Sequence, residues 1–306
     1  MKNSAIRVKL STGGAISPRK FHLWVSGSMT WRRARSFLLW AVSSLFIGTA
    51  LQAQDPLEIV RRSVERDWTD YASVKNYTYR ERIDFRRYAR DGKLSSTRTE
   101  THEILILDDR PYERLIARDD RALSDAETRK EQEKLDRETA KREHESAARR
   151  AEYEKQRAED RQFIREIPNA FTFRLDGVET VSNQAAWVIG AEPKLSYRAI
   201  NSDAKIFSKL RAKIWIEQAT YHWVRVDAQA LDALRFDFGL LRVAPGGTLH
   251  FEQTRVNDEI WLPSRIVVRA DARLALVKKV RAEFDIRYSG YQKFQSDSRI
   301  VSDGQN

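Results

Sequence analysis

Residues Arg281–Tyr288 read RAEFDIRY, an unbroken alternation of charged and apolar residues. Phe284 and Ile286 fall on one side of an extended chain, and the charged residues between them fall on the other. Because successive side chains of a β-strand point to opposite faces, this period of two is typical of a half-buried antiparallel strand. Similar alternation recurs through residues 211–294. The stretch therefore predicts a sheet with one apolar face.

Turn sequences divide the rest of the chain into further strands. Asp91-Gly92 and Asn257-Asp258 are two-residue hairpin signals that each lie between alternating stretches. Asp176-Gly177 and Ser182-Asn183 separate three short apolar runs in the same manner. The pattern predicts a meander of antiparallel strands before and after residues 124–166.

A helix precedes the strands. Asp55 suits the N-cap position, and Pro56 suits the first helical position because its missing N–H would have no partner there. The apolar residues that follow are spaced by three and four, which places them on one stripe of the helix. The stripe consists of Leu57, Val60, Val64 and Trp68. It needs an apolar surface to cover, and the sheet can supply one.

Residues Ser124–Glu166 are mostly Glu, Lys, Arg, Ala, Asp and Gln. A capping box at Ser124 opens the segment, Pro168 stops it, and opposite charges recur at a spacing of four residues. The composition predicts one long helix, up to about 60 Å at ~1.5 Å per residue, that is mostly exposed to solvent. It is either a solvated insertion between strands or an arm that docks a partner or covers a cavity. Apolar residues ready to pack occur only at its end: Phe163, Ile164 and Ile167.

The net charge of +11 belongs largely to the leader. Residues 1–53 contain eight of the 55 Lys and Arg residues and no acid, which leaves 47 basic against 44 acidic residues. Nucleic-acid binding needs a basic surplus collected on one face, so that function loses its main support. The chain has no cysteine, which excludes disulfides, a thiolate metal site and a thiol nucleophile.

The sequence from Met29 has the three parts of a secretory signal peptide. A basic segment precedes an apolar core at Phe37–Ile47, and small residues follow, so cleavage is expected near Ala50 or Ala53. A transmembrane anchor is the alternative, but roughly a dozen apolar residues fall short of the ~20 that span a bilayer. The residues ahead of Met29 are either a basic extension or the product of a start codon assigned too early. We therefore expect an exported, periplasmic protein.

Three short stretches carry a resemblance to a known family: KIWIE at Lys213–Glu217, VRVDA at Val224–Ala228 and NDEIWLP at Asn257–Pro263. The order and spacing of these stretches resemble those of the periplasmic lipoprotein-carrier (LolA-like) superfamily and of proteins described as outer-membrane lipoprotein-sorting-like. The leader, the single amino-terminal helix and the absence of cysteine fit the same resemblance. The resemblance covers about Asp55–Phe294 and is interrupted by the charged segment. Glu217 departs from it, since an Asp is usual at that position.

The resemblance implies a strongly curved antiparallel sheet, an incomplete barrel, that wraps helices and encloses an apolar cavity for acyl chains. The fold class is therefore expected to be mainly β, of the α+β type, with the charged helix as an insertion. We expect a leader at residues 1–53, a single curved-sheet domain at 54–294 with its insertion at 124–166, and a disordered tail at 295–306.

Aromatic residues in the strands are the candidate ligand-binding residues. Lining a cavity, they would offer acyl chains a wide apolar surface; filling a core, they would pack against the amino-terminal helix. The candidates are Tyr77, Tyr79, Phe85, Trp187, Phe284, Ile286 and Tyr288. Both interpretations stay open at the level of sequence.

No motif for catalysis is present in the sequence. The partial His-Glu-x-x-His matches at His102 and His144 lack the second histidine, and no nucleophile elbow or phosphate-binding glycine loop occurs. We expect a non-enzymatic protein without metal or cofactor that binds lipid or the acyl chains of a lipoprotein. The alternative is a cell-envelope scaffold that docks a protein partner through the charged helix.

Overall fold

The computed structural model describes residues 54–201, 203–236, 241–274 and 278–293. The predicted signal peptide, with its cleavage sites at Ala50 and Ala53, and the predicted tail at 295–306 lie outside these residues.

The described residues form four α-helices and thirteen strands. The helices are α1 (Pro56–Asp70), α2 (Asp125–Glu143), α3 (Ala147–Gln162) and α4 (Ile167–Ala170), with 3-10 turns at Tyr71–Asn76, Phe163–Glu166 and Ala204–Lys209. The first strands are β1 (Tyr77–Tyr88), β2 (Leu94–Leu107), β3 (Arg110–Arg118), β4 (Arg121–Ala122), β5 (Phe171–Val181), β6 (Gln184–Pro193) and β7 (Leu210–Glu217). The remaining strands are β8 (Trp223–Ala230), β9 (Leu234–Phe236), β10 (Leu241–Val243), β11 (Thr248–Val256), β12 (Ile260–Leu274) and β13 (Lys278–Lys293).

All thirteen strands belong to one sheet, whose main order is β4-β3-β2-β1-β13-β12-β11-β8-β7-β6-β5. Every pairing in it is antiparallel, and the short strands β9 and β10 extend the end of β12. The first long strand pairs with the last, so β1 and β13 lie in the middle of the sheet. The two edges, β4 and β5, do not pair with each other. The predicted fold class, an incompletely closed antiparallel sheet with an amino-terminal helix, is confirmed.

Tight turns connect many neighbouring strands. Asn257 and Asp258 have φ values of 52° and 56°, and Ser182 and Asn183 have 49° and 63°. Positive φ at both central residues is the mark of a type I′ turn, whose twist matches that of the flanking strands. The two predicted hairpins are therefore confirmed. Two more turns, at Asp108-Asp109 and Asp119-Asp120, use aspartates in the same left-handed conformation.

Asp176-Gly177 is a bulge and does not form the hairpin turn that the sequence predicted. Strand β5 runs through it without reversing, and its register with β6 shifts between Leu175 and Gly177. Gly177 takes a φ of 145°, which is open to glycine and strained for other residues. The residues on both sides of the bulge pair with the same strand, so the Asp-Gly pair changes register instead of direction.

The face of the sheet that packs on α1 is called the inner face here, and the opposite face is the outer face. Ile59, Val60 and Val64 of α1 belong to one buried apolar cluster with side chains of this face. Consecutive cross-strand partners supply those side chains from β1 to β6. This covered row consists of Ile83, Ile286, Ile266, Phe251, Val226, Ile214 and Ile189. The predicted apolar stripe of α1 thus meets the alternating side chains of the sheet.

The charged segment forms two helices, so the prediction of one long helix is wrong. The chain leaves α2 at His144, and Ser146 starts α3 by accepting a hydrogen bond from the Arg149 backbone N–H at 3.3 Å. The break lies against the β2–β3 turn, where Glu145 pairs with Arg110 at 2.6 Å. A serine N-cap and a buried ion pair favour the interruption over continued helix, which the charge pattern alone does not reveal.

These helices join the two free edges of the sheet. Helix α2 follows β4 at one edge, and α3 leads through α4 to β5 at the other edge. Arg142, at the end of α2, donates to the carbonyl oxygens of Leu107 at 3.0 Å and Arg110 at 2.9 Å. The insertion is therefore anchored to the sheet at its midpoint, although most of its side chains are exposed.

A buried ion pair fastens α3 to α1. Arg161, which is 2% exposed, donates to the Asp67 carboxylate at 2.7 Å and to the Asp67 carbonyl at 3.1 Å. The guanidinium groups of Arg161 and Arg165 lie over the ring of Trp68, at 5.4 and 3.8 Å from its centre. Ile164 and Ile167, which the sequence marked as ready to pack, are buried in the cluster that contains α1.

We predict that Arg161→Ala lowers the free energy of unfolding by about 3 to 5 kcal/mol at about pH 8, because it leaves a buried carboxylate without its cation. Burial already raises the pKa of Asp67 to about 7, and Arg161 opposes that shift. The loss should therefore shrink near about pH 5, where Asp67 can hold a proton. Urea unfolding of the wild type and of Arg161→Ala at both pH values measures this loss of unfolding free energy.

The control is Arg137→Ala, since the Arg137 side chain is 68% exposed and its pairing with Glu133 is weak at 3.9 Å. An exposed pair of this kind contributes less than about 1 kcal/mol. Equal effects of the two substitutions would contradict a structural role for the Arg161–Asp67 pair.

Candidate functional site

A second apolar row lies beside the covered row on the inner face. Its members are consecutive cross-strand partners from β1 to β5, and all of them are apolar. This open row consists of Phe85, Phe284, Val268, Leu249, Ala228, Ala212, Ala191 and Phe173. Apart from Ala191, which is buried, every member is only half-buried. The row is an apolar strip that remains partly accessible on the face where the sequence predicted a ligand.

The side chains of the open row explain its accessibility. Its middle consists of Ala228, Ala212 and Ala191, whose methyl groups rise little above the sheet, and phenylalanines stand at its ends. Phe85 and Phe284 pack against each other with ring centres 4.7 Å apart. Neither ring belongs to the two buried apolar clusters of the described residues. The pair therefore contributes apolar surface to the row without closing it.

The structure distributes the predicted site residues over three places. Trp187, Ile286 and Tyr288 are 4%, 7% and 7% exposed and belong to the cluster with α1, and Tyr79 packs against that cluster. Phe85 and Phe284 lie in the open row. Tyr77 lies in a second buried cluster with Trp215, Trp261 and Leu262, and its hydroxyl donates to Glu259. The structure thus brings most of the candidates to the inner face and separates Tyr77 from them.

A buried carboxyl group on the inner face escaped the sequence analysis. Glu81 is 0% exposed and is the cross-strand partner of His102 on one side and Tyr288 on the other. Burial, together with the charge of Glu113, raises the pKa of Glu81 to about 8, and a hydrogen bond with Tyr288 opposes the shift. Burial likewise lowers the pKa of His102. At neutral pH the group is therefore mostly a neutral acid among aromatic side chains.

One sequence signal marked this glutamate. Tyr79, Glu81, Ile83 and Phe85 alternate with charged or polar residues, so Glu81 occupies an apolar position of its strand. Burial raises the pKa values of the nearby Tyr79 and Tyr288 hydroxyls as well. The cluster places polar hydroxyl and carboxyl groups on the same face as the open row.

Along β1, β12 and β13 the outer face carries ion pairs instead of apolar rows. Asp285 is 0% exposed and is held by Arg265 at 2.9 Å and Arg287 at 2.5 Å. Glu283 pairs with Arg86 and Arg269 in the same way. These pairs neutralise the charged half of the alternating pattern along β1, β12 and β13.

A groove of about 730 Å³ spans β5 to β8, β11 and β12, and its lining includes five members of the open row: Phe173, Ala191, Ala212, Ala228 and Leu249. Lys213, Asp227 and His250 line it as consecutive cross-strand partners, with Arg211 and Arg269 close by. Charged side chains of the outer face thus share the lining with apolar residues of the open row, so the groove is only in part the apolar cavity that the sequence predicts.

A hydrogen-bond relay joins α1 to the β7–β8 turn. The ring nitrogens of His222 lie 2.8 Å from the Asp70 carboxylate and 2.6 Å from the Thr220 hydroxyl. The order acid, histidine, hydroxyl is that of a hydrolase triad, but the Thr220 hydroxyl donates to Glu217. Glu217 also accepts the Ala219 N–H at 2.9 Å. The relay therefore fits a structural tie, and Glu217, at the position where the sequence resemblance leads one to expect Asp, caps the turn.

The chain is similar to several solved structures. A DUF1329 family protein from Desulfovibrio piger is 14% identical with a TM-score of 0.32, over 81% of this chain and 96% of that one. An outer membrane lipoprotein-sorting protein domain from Vibrio parahaemolyticus is 14% identical with a TM-score of 0.33, over 79% and 93%. A LolA superfamily protein from Nitrosomonas europaea is 9% identical with a TM-score of 0.28, over 78% and 93%.

The names of the last two are those of the family that the strand sequences resemble. Identities and TM-scores this low say nothing about a ligand or a partner. No protein-family model and no curated protein matches the chain. Within the described ranges, no helix has the length and apolar content needed to cross a membrane.

We predict that Glu81→Gln changes how stability depends on pH. In the unfolded chain a glutamate has a pKa of about 4.3, so between that value and about 8 the folded protein holds one more proton than the unfolded chain. This contribution to stability is complete below about pH 4 and is lost as the pH rises to about 8. The wild type should lose on the order of 2 to 4 kcal/mol more than the variant between about pH 5 and about pH 8.

Urea unfolding of both proteins at the two pH values measures this difference. Glu133→Gln serves as the control, since the Glu133 side chain is 66% exposed and should titrate alike in both states. A pH-independent difference between the wild type and Glu81→Gln would show that Glu81 is ionised in the folded protein.

Proposed function

We propose that the protein is an exported, non-enzymatic carrier that binds lipid or the acyl chains of a lipoprotein along the open row of its inner face. The observation that carries this proposal is the row itself: a continuous, half-buried apolar strip beside a fully buried one. The predicted leader supports a periplasmic location, where acyl chains in transit need a protein to cover them.

The dimensions of the open row suit an acyl chain. Eight neighbouring strands contribute to it, so it extends about 34 Å at ~4.8 Å per strand. One acyl chain reaches about half of the ~30 Å hydrocarbon core of a bilayer and therefore fits within the row. Each methylene group removed from water contributes about 0.8 kcal/mol, which makes an accessible apolar strip of this length a sufficient binding surface.

The helical insertion suits the same role. Because β4 and β5 do not pair, the width of the opening in the sheet depends on the helices that connect these edges. Arg142 fixes the middle of the connection to the β2–β3 turn, and Arg161 fixes its end to α1. Buried arginine contacts, together with the apolar packing of Ile164 and Ile167 on α1, thus hold the open side.

The alternative is an envelope scaffold that captures a protein partner through α2 and α3. The outward faces of α2 and α3 favour the scaffold function. Most of their charged residues are exposed, and these form ion pairs mainly with neighbours on the same helix. The resemblance to lipoprotein-sorting proteins and the apolar open row instead favour a lipid ligand. The two functions use different surfaces and are separable by substitution.

The test of the carrier function is direct binding of oleate, measured by titration calorimetry, and mass spectrometry of acyl lipid that co-purifies with the protein. The double substitution Phe85→Ser and Phe284→Ser should weaken oleate binding by about tenfold or more, since ~1.4 kcal/mol of lost apolar contact is a factor of ten. Circular dichroism should show that the variant stays folded at the temperature of the binding measurement, since neither ring belongs to a buried apolar cluster of the described residues.

The matched control is Ile200→Ser, which removes an exposed apolar side chain (60% exposed) from the loop between β6 and β7. It should leave oleate binding unchanged. A protein that carries no acyl lipid and binds no oleate would exclude the carrier function.

The scaffold alternative predicts a different result. Reversing the exposed charges of Glu133 and Arg137 leaves Arg142 and Arg161 in place, so the fold and oleate binding should persist. Loss of a protein that co-purifies with the wild type would then favour the scaffold, and unchanged co-purification would count against docking through this face.

A further inference from the structure

Two arginines stand beside the phenylalanine end of the open row. Arg98 on β2 is the direct cross-strand partner of Phe85 on β1. The guanidinium carbon of Arg87 lies 5.9 Å from the centre of the Phe85 ring. Directly paired residues share a face of the sheet, and so do residues two apart on one strand. Both arginines, which are exposed, therefore lie on the inner face with the open row.

Their electrostatic surroundings differ from those of nearby arginines on the outer face. Arg86 and Arg269 both pair with Glu283 at 2.5 Å, and Arg281 pairs with Asp271 at 2.7 Å. In the ranges that the structure describes, no acidic side chain lies within salt-bridge distance of either Arg87 or Arg98. Two uncompensated cations thus adjoin an apolar strip at this end of the sheet.

The nearest acid along β2 is already engaged. The Glu100 carboxylate lies 3.8 Å from Arg118 on β3 and 3.9 Å from His102 on β2, so its partners are these two side chains and not Arg98. The arginines are therefore the charged groups that a ligand on Phe85 and Phe284 would meet first.

We propose that the open row together with Arg87 and Arg98 forms one site for an anionic amphiphile. The acyl chain lies along the row, and the anionic head lies at the β1–β2 end. A guanidinium group binds carboxylate and phosphate by paired N–H···O hydrogen bonds, so either head fits this end. The inference rests on the proposed carrier function and adds the charge and direction of the ligand.

A simpler role for these residues would be to keep an exposed hairpin soluble, as charged residues often do near sheet edges. That role requires positive charge but no connection with the open row. The two roles differ in whether the arginines select among ligands that have the same chain and different heads.

The experiment compares three amphiphiles with an oleoyl or oleyl chain: oleate, lysophosphatidic acid and the neutral oleyl alcohol. Titration calorimetry on the full chain should show that the two anionic ligands bind about three- to tenfold more tightly than the alcohol, the range expected for two partly exposed charge contacts. Higher salt should reduce that preference, because exposed charges are screened.

The double substitution Arg87→Gln and Arg98→Gln should remove the preference and leave the affinity for oleyl alcohol unchanged. The control Arg269→Gln removes a paired arginine from the outer face and should keep the preference for the two anionic ligands. Preference for oleate alone would assign the head as a carboxylate, and preference for lysophosphatidic acid alone would assign it as a phosphate.

The outcomes separate the two proposals. If the wild type binds all three amphiphiles equally, or if the double variant keeps its preference, the assignment of Arg87 and Arg98 is overturned while the carrier function stands. If none of the amphiphiles binds, the carrier function itself fails.

Discussion

The pairing of β1 with β13 is the constraint on which the rest of the structure depends. It joins the first long strand to the last in the middle of the sheet and sets Ile83 opposite Ile286 and Phe85 opposite Phe284. A slip of one residue would send these apolar side chains to the outer face and the buried carboxylates of Glu283 and Asp285 to the inner face. The covered row, the open row and the ion pairs around Asp285 therefore follow from one register. Pairing between residues so far apart in sequence also closes a large loop, whose entropic cost the apolar rows must offset.

Apolar contact and charge are divided between the two faces and the two sheet edges. The covered row packs with α1, whereas arginine–carboxylate pairs neutralise the outer face. Between the free edges, the connection consists of helices fixed by Arg142 and Arg161. Both arginines are buried, and Ile164 and Ile167 add apolar contact with α1, so the connection is held firmly at these points. This division leaves the open row as the partly accessible apolar surface of the inner face.

Much of the fold followed from local patterns, and the exceptions have physical reasons. Alternation predicted the strands, and Asn257-Asp258 and Ser182-Asn183 predicted type I′ hairpins, because these signals act over a few residues. Asp176-Gly177 has the composition of a turn but forms a bulge, since the strand ladder continues on both sides of it. The charged segment breaks at Ser146 because Glu145 forms an ion pair with Arg110 at the β2–β3 turn, which is distant in sequence. Of the predicted site residues, Phe85 and Phe284 reach the open row, and Trp187, Ile286 and Tyr288 fill the core. Tyr77 lies in another cluster, which the shared strand face did not reveal.

By itself, the sequence determined most of the secondary structure and the apolar face of most strands, because both depend on neighbours along the chain, and it predicted an export signal. Only the tertiary structure decided that Glu81 is buried beside Tyr288, that Asp67 meets Arg161, and that Arg87 and Arg98 adjoin an accessible apolar row. Periodicity shows which face a side chain takes and leaves open what covers it. Whether an aromatic lines a space or fills it depends on elements distant in sequence, and here α1 covers one row while its neighbour stays half-exposed.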